Sequence, residues 1–355
     1  MSSPGPISTP ASAPSSPRVL VMGAGTIGCY LGGLLVAAGL DVAFVGRPRV
    51  IQALRSHGLT LTDLNQRRLH VSTAMLNLNE TCPPGWAPDV TLLCVKSGAT
   101  PEAARELQRA LPAGSVVLSM QNGVGNARDA QATAPDMDVR AGMVPFNVAE
   151  LAPGQFHRGT GGALMVHGRA TESALRALPQ AFTQGGVELQ LIESPASMHA
   201  VQWGKLLLNL NNPVNALSGR ALRAQLLERG YRQCFAALQR EALDILDAAG
   251  LPVQSMAPVP PRRLIQVLNL PSPLFRLVAA RMLKIDAQAR SSMADDLKLG
   301  RLTEIDALCG EVQRLAASTG RSAPLNSRMR ELVMDWPQRA RPYSPSELKQ
   351  ALGLR

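Results

Sequence analysis

Lysine, aromatic side chains and pairable cysteines are what this chain has least of. Its 355 residues carry 36 basic side chains, but only five are lysines, at positions 96, 205, 284, 298 and 349, and the other 31 are arginines. A formal net charge of +10 raises the question of nucleic acid, yet the arginines are spread rather than clustered and only 3% of residues are aromatic. Base stacking and a concentrated basic stripe are both missing, so no nucleic-acid partner is expected. The positive field would still draw a small anion. The five cysteines, Cys29, Cys82, Cys94, Cys234 and Cys309, are odd in number, scattered and without a CxxC. That argues against a disulfide frame or a zinc site and fits a reducing cytoplasm. His57, His70, His157, His167 and His199 show no metal-ligand spacing, so no metal is expected. Nor does any apolar run reach a membrane span, and the start of the chain lacks the basic and apolar blocks of a signal peptide, so no membrane is expected.

What is present is a globular composition, 46% hydrophobic and 17% charged, long enough for two domains. Residues 1–17 are rich in Pro, Ser, Ala and Gly without a charged side chain, the composition of a disordered tail. The fold is expected to start at Arg18.

The stretch from Arg18 to Arg47 reads as strand, glycine turn, helix and second strand. RVLVM is a short apolar run suited to a buried parallel strand, and Gly23-Ala24-Gly25-Thr26-Ile27-Gly28 follows it directly as GxGxxG. Gly23 permits the tight turn, Gly25 lets backbone approach a pyrophosphate, and Gly28 lets the next helix pack on the strand. The diphosphate would rest on the free N–H groups of a helix over about residues 26–38, stopped by Gly39. After the second strand, DVAFV, an NAD-binding chain usually places an acidic residue for the ribose 2′-hydroxyl, and here stand Gly46 and Arg47. A guanidinium there suits a 2′-phosphate, so NADP(H) is the expected cofactor.

Further on, a helix is expected over about Pro48–His57, strands over Leu59–Thr62 and Leu69–Leu76, and a buried strand over Asp89–Lys96 that ends in a lysine. A helix over about Thr100–Ala110 leads to SVVLSM and then Gln121-Asn122-Gly123. Strand ends are where an open parallel sheet binds cofactors, which puts Lys96 and Asn122 at the dinucleotide crevice. Strands over Asp138–Val144 and Ala163–His167, a helix near Glu172–Phe182 and a last strand, VELQLI, continue the alternation. From there the pattern is helical, interrupted at Gly219, Gly250-Leu251-Pro252, 257–261, 271–273 and Pro324. The expected division is therefore 1–17 tail, 18–195 dinucleotide-binding domain and 196–355 helical domain. No internal repeat is evident.

Within the helical part, a helix expected over Ser197–Leu217 places Lys205 and Asn209 four apart on one face, with leucines between them turning into the core. Lys205 either faces a cleft or lays its stem on the core with its head in water. Asn211, Asn212 and Asn215 are either a substrate lining or the sign of a helix loosening toward Pro213. Beyond Ser291-Ser292-Met293, Leu302, Ile305 and Leu308 read as one apolar stripe, which leaves Glu304 off the core-facing line.

GAGTIG followed by Arg47, a strand ending in Lys96, QNGVG, WGKLLLN and SSMADDLKLGRLTEID occur in that order, and with them the chain resembles the ketopantoate reductase (2-dehydropantoate 2-reductase) family from Arg18 to about Pro337. The resemblance implies an α/β fold class, a Rossmann-type doubly wound parallel sheet followed by an all-α C-terminal domain arranged as in 6-phosphogluconate dehydrogenase. It implies a glycine loop at Gly23, Ala24, Gly25, Thr26, Ile27 and Gly28, a 2′-phosphate contact at Arg47 and a cofactor-side lysine at Lys96. It further implies that Asn122 touches both nicotinamide ribose and substrate. Lys205 and Glu304 would be catalytic, with Glu304 near cofactor and lysine, and Asn209 and Ser292 would bind the substrate. One position departs: the family often has a second substrate asparagine where this chain has Pro213, with Asn212 and Asn215 as substitutes.

The implied reaction is NADPH-dependent reduction of ketopantoate to pantoate on the route to pantothenate. A lysine ammonium would stabilise and protonate the oxygen that receives charge as hydride reaches the ketone carbon. Two other readings stand beside it, a paralogue acting on another 2-oxo acid and an NADP(H)-sensing protein without turnover. The expected setting is a cytoplasmic monomer or homodimer with a small-molecule partner.

Overall fold

The computed structural model describes residues 17–280, 283 and 289–354. Of the expected tail, all but Pro17 lies outside the described residues.

Twelve strands form two sheets. In chain order they are β1 (Arg18–Met22), β2 (Asp41–Val45), β3 (Leu59–Asp63), β4 (Arg68–Val71), β5 (Asn77–Asn79), β6 (Val90–Leu93), β7 (Val116–Ser119), β8 (Asp138–Met143), β9 (Val148–Ala152), β10 (Gln155–Arg158), β11 (Leu164–His167) and β12 (Leu189–Ile192). The larger sheet runs β12-β11-β8-β7-β6-β1-β2-β5. From β5 to β8 every pairing is parallel, with Val19 beside Val42 on one side and Val90 on the other. β11 enters antiparallel to β8 and carries β12 parallel at the edge. This is a doubly wound, Rossmann-type sheet, whose strand order reverses between β1 and β6. Strands buried on both faces need unbroken apolar sequence, and Val19 to Met22, Val42 to Val45 and Val90 to Leu93 are all buried.

The helix Thr26–Ala37 packs its small residues on β1 and β2, and Gly39, at φ +88°, turns the chain back into β2. In the second sheet, β4-β3-β10-β9, β3 and β4 answer to the strands expected over Leu59–Thr62 and Leu69–Leu76, whereas the hairpin β9–β10 and its pairing with β3 are not announced by the sequence. β9 and β10 are a hairpin whose residues alternate between buried and exposed only partially, and β10 pairs parallel with β3 across almost a hundred residues of sequence. Asp63 and Arg158, an ion pair at 2.9 Å, are buried in that seam.

Past Ile192 the described chain is helical, with the first helix, Pro195–Asn209, mounted on the large sheet. Its Met198 and Val201 pack with Met143 of β8, and Gln202 Nε2 donates to the Gly142 carbonyl at 3.4 Å. The rest builds its own core around the helix Arg229–Ala248, in which Tyr231, Cys234, Leu238 and Leu246 are buried. No described helix is long and apolar enough to cross a membrane.

Several boundaries differ from the sequence reading, each for a local reason. The single helix expected over Ser197–Leu217 is two, Pro195–Asn209 and Asn211–Ser218, joined at Leu210. A proline ring at 213 would strike the carbonyl of Asn209 in an unbroken helix, so the chain steps there. The helix expected near Glu172–Phe182 starts only at Leu178, with Pro179 in its first turn. The strand expected to end at Lys96 ends at Leu93, and the stretch Leu69–Leu76 is β4 followed by a single 3-10 turn, Thr73–Met75. Leu302, expected on a core-facing stripe, is 90% exposed because the helix begins at Ile305. Ile305 and Leu308 are buried as that stripe requires.

Candidate active site

The loops that leave β1 and β6 meet at the point where strand order reverses. Gly23, at φ +106°, sits so close to the second loop that a Cβ there would come within 2.7 Å of the Val95 nitrogen. Gly25 faces open space instead, with nothing within 4 Å of where its Cβ would be. Gly23 and Ala24 donate to the Val45 carbonyl at 2.9 and 2.8 Å, which closes the turn and leaves the first N–H groups of the helix Thr26–Ala37, those of Thr26, Ile27 and Gly28, facing out of it. An uncovered helix N-terminus behind a glycine that admits close approach fits a dinucleotide's diphosphate. Arg47 follows directly at the exit of β2, exposed, and its guanidinium makes no ion pair or hydrogen bond among the described residues.

Beyond β6, Lys96 opens a 3-10 turn, Ser97–Ala99, and reaches across to the helical part, where its Nζ lies 2.6 Å from Asp296 Oδ1. Ser97 donates to Glu304 Oε1 through its N–H at 3.3 Å and its hydroxyl at 3.1 Å. From the loop after β7, Asn122 Nδ2 donates to Glu304 Oε2 at 3.1 Å. The next residue, Gly123, has φ +93°, and a Cβ on it would stand 2.7 Å from the Ala307 carbonyl. Only glycine allows that approach, and it brings Asn122 up to Glu304, the residue that caps the helix Ile305–Ser318. Glu304 thus joins two sheet-end loops to the helical part.

Lys205 comes from the other wall. It lies one turn after the residues that fasten the helix Pro195–Asn209 to β8, and its half-buried side chain extends to the sheet, donating to the carbonyl of Val144 just past the end of β8. Burial pushes its ammonium down from the usual lysine range to about 8, and the negative charge of Glu304 works against that shift. The amine thus lies between the two parts, within the influence of Glu304, which lines the candidate cleft although Lys205 itself does not.

A narrow cleft is lined by Asn122, Asn209, Asn212, Ser292, Met293, Asp296, Glu304 and Leu308. Ser292 is the exposed first residue of the helix Ser292–Lys298, and Asp296, one turn on, shares its face. Asn215 is not brought to this cleft. It is fully buried, its Oδ1 accepting from the Ser291 N–H at 2.9 Å and its Nδ2 donating to the Arg220 carbonyl at 3.0 Å. Its oxygen is committed to the segment that carries Ser292 and its nitrogen to the turn after Gly219, so the asparagine beside the cleft is Asn212. Pro213 is buried in the helix between them.

Sequence reasoning missed Asp296 and Ser97. The spacing of Asp296 from Ser292 was a signal for it, whereas the Val144 carbonyl that receives Lys205 is backbone and leaves none. Among the described residues no group of His, Cys, Asp and Glu could hold a metal ion.

The sequence pattern described as ketopantoate reductase PanE/ApbA matches residues 19–170, and that of the same family's C-terminal part matches residues 197–335. The chain belongs to the ketopantoate reductase family. It is accordingly an oxidoreductase of the Rossmann-fold, NAD(P)-dependent kind. Curated ketopantoate reductase relatives include the 2-dehydropantoate 2-reductases of Halobacterium salinarum, 29% identical over 89% of this chain and 97% of that one, and of Pyrococcus horikoshii, 26% identical over 89% and 96%. Among solved structures, a PanE/ApbA family ketopantoate reductase from Ralstonia eutropha superposes with a TM-score of 0.74 at 26% identity, over 91% of this chain and 99% of that one. A D-mandelate dehydrogenase solved with NADH and anilino(oxo)acetate reaches the same TM-score of 0.74 at 18% identity, over 91% and 99%, and shares the fold.

Proposed function

We propose that the chain reduces 2-dehydropantoate (ketopantoate) to pantoate with NADPH, a step toward pantothenate, in the cytoplasm and as a monomer or homodimer. The observation that carries the reading is Lys205, an amine held between the two parts with a pKa of about 8 and a carboxylate, Glu304, near enough to oppose its deprotonation. The glycine turn of Gly23, Ala24, Gly25, Thr26, Ile27 and Gly28 would hold the diphosphate, Arg47 the 2′-phosphate, and Lys96, Asn122 and Glu304 the nicotinamide end. Bound there, the reduced nicotinamide supplies a hydride to the ketone carbon.

The chain's own work is at the oxygen. Lys205 places an ammonium against the carbonyl as it gains negative charge and then gives it a proton, which a pKa near the working pH makes easy in both directions. Glu304 keeps that amine charged until it is used. Asn209, Asn212 and Ser292 would grip the carboxylate and hydroxyl and fix the carbonyl for attack.

The lining supports a hydroxylated acid over an aromatic one. Six of its eight residues are polar, Asn122, Asn209, Asn212, Ser292, Asp296 and Glu304. A phenyl ring among them would strip these groups of water without replacing its hydrogen bonds. NADPH is favoured over NADH by Arg47 and by the want of a carboxylate at the exit of β2.

An NADPH-oxidation assay over a panel of 2-oxo acids tests the reading. Ketopantoate is expected to give the highest kcat/KM, and no turnover with any member would overturn the proposal. Replacing Arg47 by Met is expected to raise KM for NADPH by about tenfold, the worth of one charge-assisted phosphate contact, while KM for NADH stays put. Equal losses with both cofactors would place Arg47 elsewhere.

The pH profile has a definite sign. Reduction needs the ammonium, so kcat/KM for ketopantoate is expected to be flat below pH about 8 and to fall above it, while oxidation of pantoate by NADP needs the free amine and rises over the same window. Glu304→Gln removes the charge that holds the proton on, which should move both limbs to lower pH. A profile without an alkaline limb in the reductive direction would remove Lys205 as the acid.

A further inference from the structure

The cleft presents an electrostatic difficulty for the substrate just assigned to it. A 2-oxo acid is an anion, and two of the eight lining residues, Asp296 and Glu304, are carboxylates. Glu304 is opposed by the nearby Lys205. Asp296 is opposed by Lys96, whose Nζ reaches it from the loop after β6 at 2.6 Å. Two of the chain's five lysines are thus set against the two carboxylates of one cleft, in a protein that otherwise uses arginine.

The placement of Asp296 makes its charge matter. It lies four residues after Ser292 on one face of the helix Ser292–Lys298, about one helical turn or roughly 5 Å along the axis, so a carboxylate gripped by the Ser292 hydroxyl would be its neighbour. The Asp296 side chain is 11% exposed, which limits how far water can screen it. The Lys96 side chain is 43% exposed and comes from the loop after β6 rather than from the cleft lining, so the ion pair joins the two parts at the edge of the cleft.

We propose that Asp296 is a specificity-determining residue whose charge is masked by Lys96, and that this masking is what lets the cleft accept a 2-oxo acid anion. The inference rests on the substrate class proposed above. In this arrangement Lys96 serves the substrate end of the site through Asp296, whatever it also does for the cofactor. Removing the lysine uncovers a fixed negative charge beside the one the substrate brings. Removing both partners restores neutrality without restoring the bond between the walls.

That last difference supplies the test. Binding of ketopantoate and of its uncharged methyl ester is measured by isothermal titration calorimetry on the full chain without cofactor, for the wild type, Lys96→Met, Asp296→Asn and the double variant. Lys96→Met is expected to weaken ketopantoate by about tenfold, the size of one like-charge interaction at this range in a partly screened site. The double variant is expected to return to within about twofold of wild type, and Asp296→Asn alone to bind the acid at least as tightly as wild type. The ester is expected to bind all four alike. A double variant as weak as Lys96→Met, or an ester that follows the acid, would overturn the proposal and leave the pair as a latch between the walls. Turnover of ketopantoate by the wild type tells the two readings apart: with turnover and no rescue only the masking role fails, and with neither binding nor turnover of any 2-oxo acid both fail.

Discussion

Replacing Lys205 by alanine is expected to lower kcat for ketopantoate reduction by about a hundred- to ten-thousand-fold, the usual worth of a positioned proton donor, and to leave the dissociation constant for NADPH within about twofold. The split follows from where the residue stands. Its stem belongs to the helix Pro195–Asn209, its amine ends at the Val144 carbonyl, and the glycine turn and Arg47 lie on other elements. Lys205→Arg keeps the positive charge but holds its proton too tightly to give it up, so it should recover substrate affinity better than kcat. Steady-state rates together with NADPH titration by fluorescence measure both quantities. A Lys205→Ala protein with near wild-type kcat would end the catalytic assignment, and one that binds NADPH and responds to it without turnover would favour a sensor.

Arg232→Leu is expected to destabilise the fold by about 3–5 kcal/mol, read as a lower urea midpoint with little change in slope. Arg232 is fully buried in the helix Arg229–Ala248, and no carboxylate lies within ion-pair distance of it among the described residues. Its guanidinium donates to the carbonyls of Leu226 and Leu227 at 2.9 and 3.0 Å and to those of Leu268 and Leu270 at 3.0 and 2.9 Å, with the Phe275 ring 4.1 Å beneath it. These carbonyls close the C-terminal ends of the helices Leu222–Leu227 and Pro261–Asn269, where the negative end of each helix dipole gathers. One cation therefore satisfies two helix ends at once. A leucine fills much of the volume but takes the guanidinium away from the carbonyls of Leu226, Leu268 and Leu270 and leaves that of Leu227 only the Ser272 hydroxyl at 3.4 Å, which is the costly way to break such a site. A loss under about 1 kcal/mol would mean that water reaches those carbonyls.

The parts of the protein that repeat a short local rule were legible in its sequence. A strand buried on both faces needs a continuous apolar run, and a tight strand-to-helix turn needs glycines at set spacings. RVLVM and Gly23 to Gly28 obey these rules within a single stretch, so the Rossmann-type sheet is legible in the order of residues alone. The helical half is legible as a texture, with its proline and glycine breaks, but Pro213 divides into two a helix whose pattern alone reads as one.

Pairings between distant segments were not legible, because nothing local pays for them. The seam between β3 and β10 depends on two segments meeting through the fold, and the buried pair Asp63 and Arg158 is ordinary charge until they do. The same holds for the site. Asn212 and Asn215 are equivalent as letters, and only packing decided that Asn215 would be buried against Ser291 while Asn212 faces the cleft. Asp296 gained meaning when the loop after β6 brought Lys96 to it, and burial between the two parts is what pushes the Lys205 ammonium down to about 8. By itself the sequence determined the nucleotide-binding sheet, the helical half and the family, since each follows from residue types at short range. The tertiary structure alone decided which charges face one another at the cleft, because desolvation and Coulomb energy depend on distance in space and on access to water, neither of which is written in the order of residues.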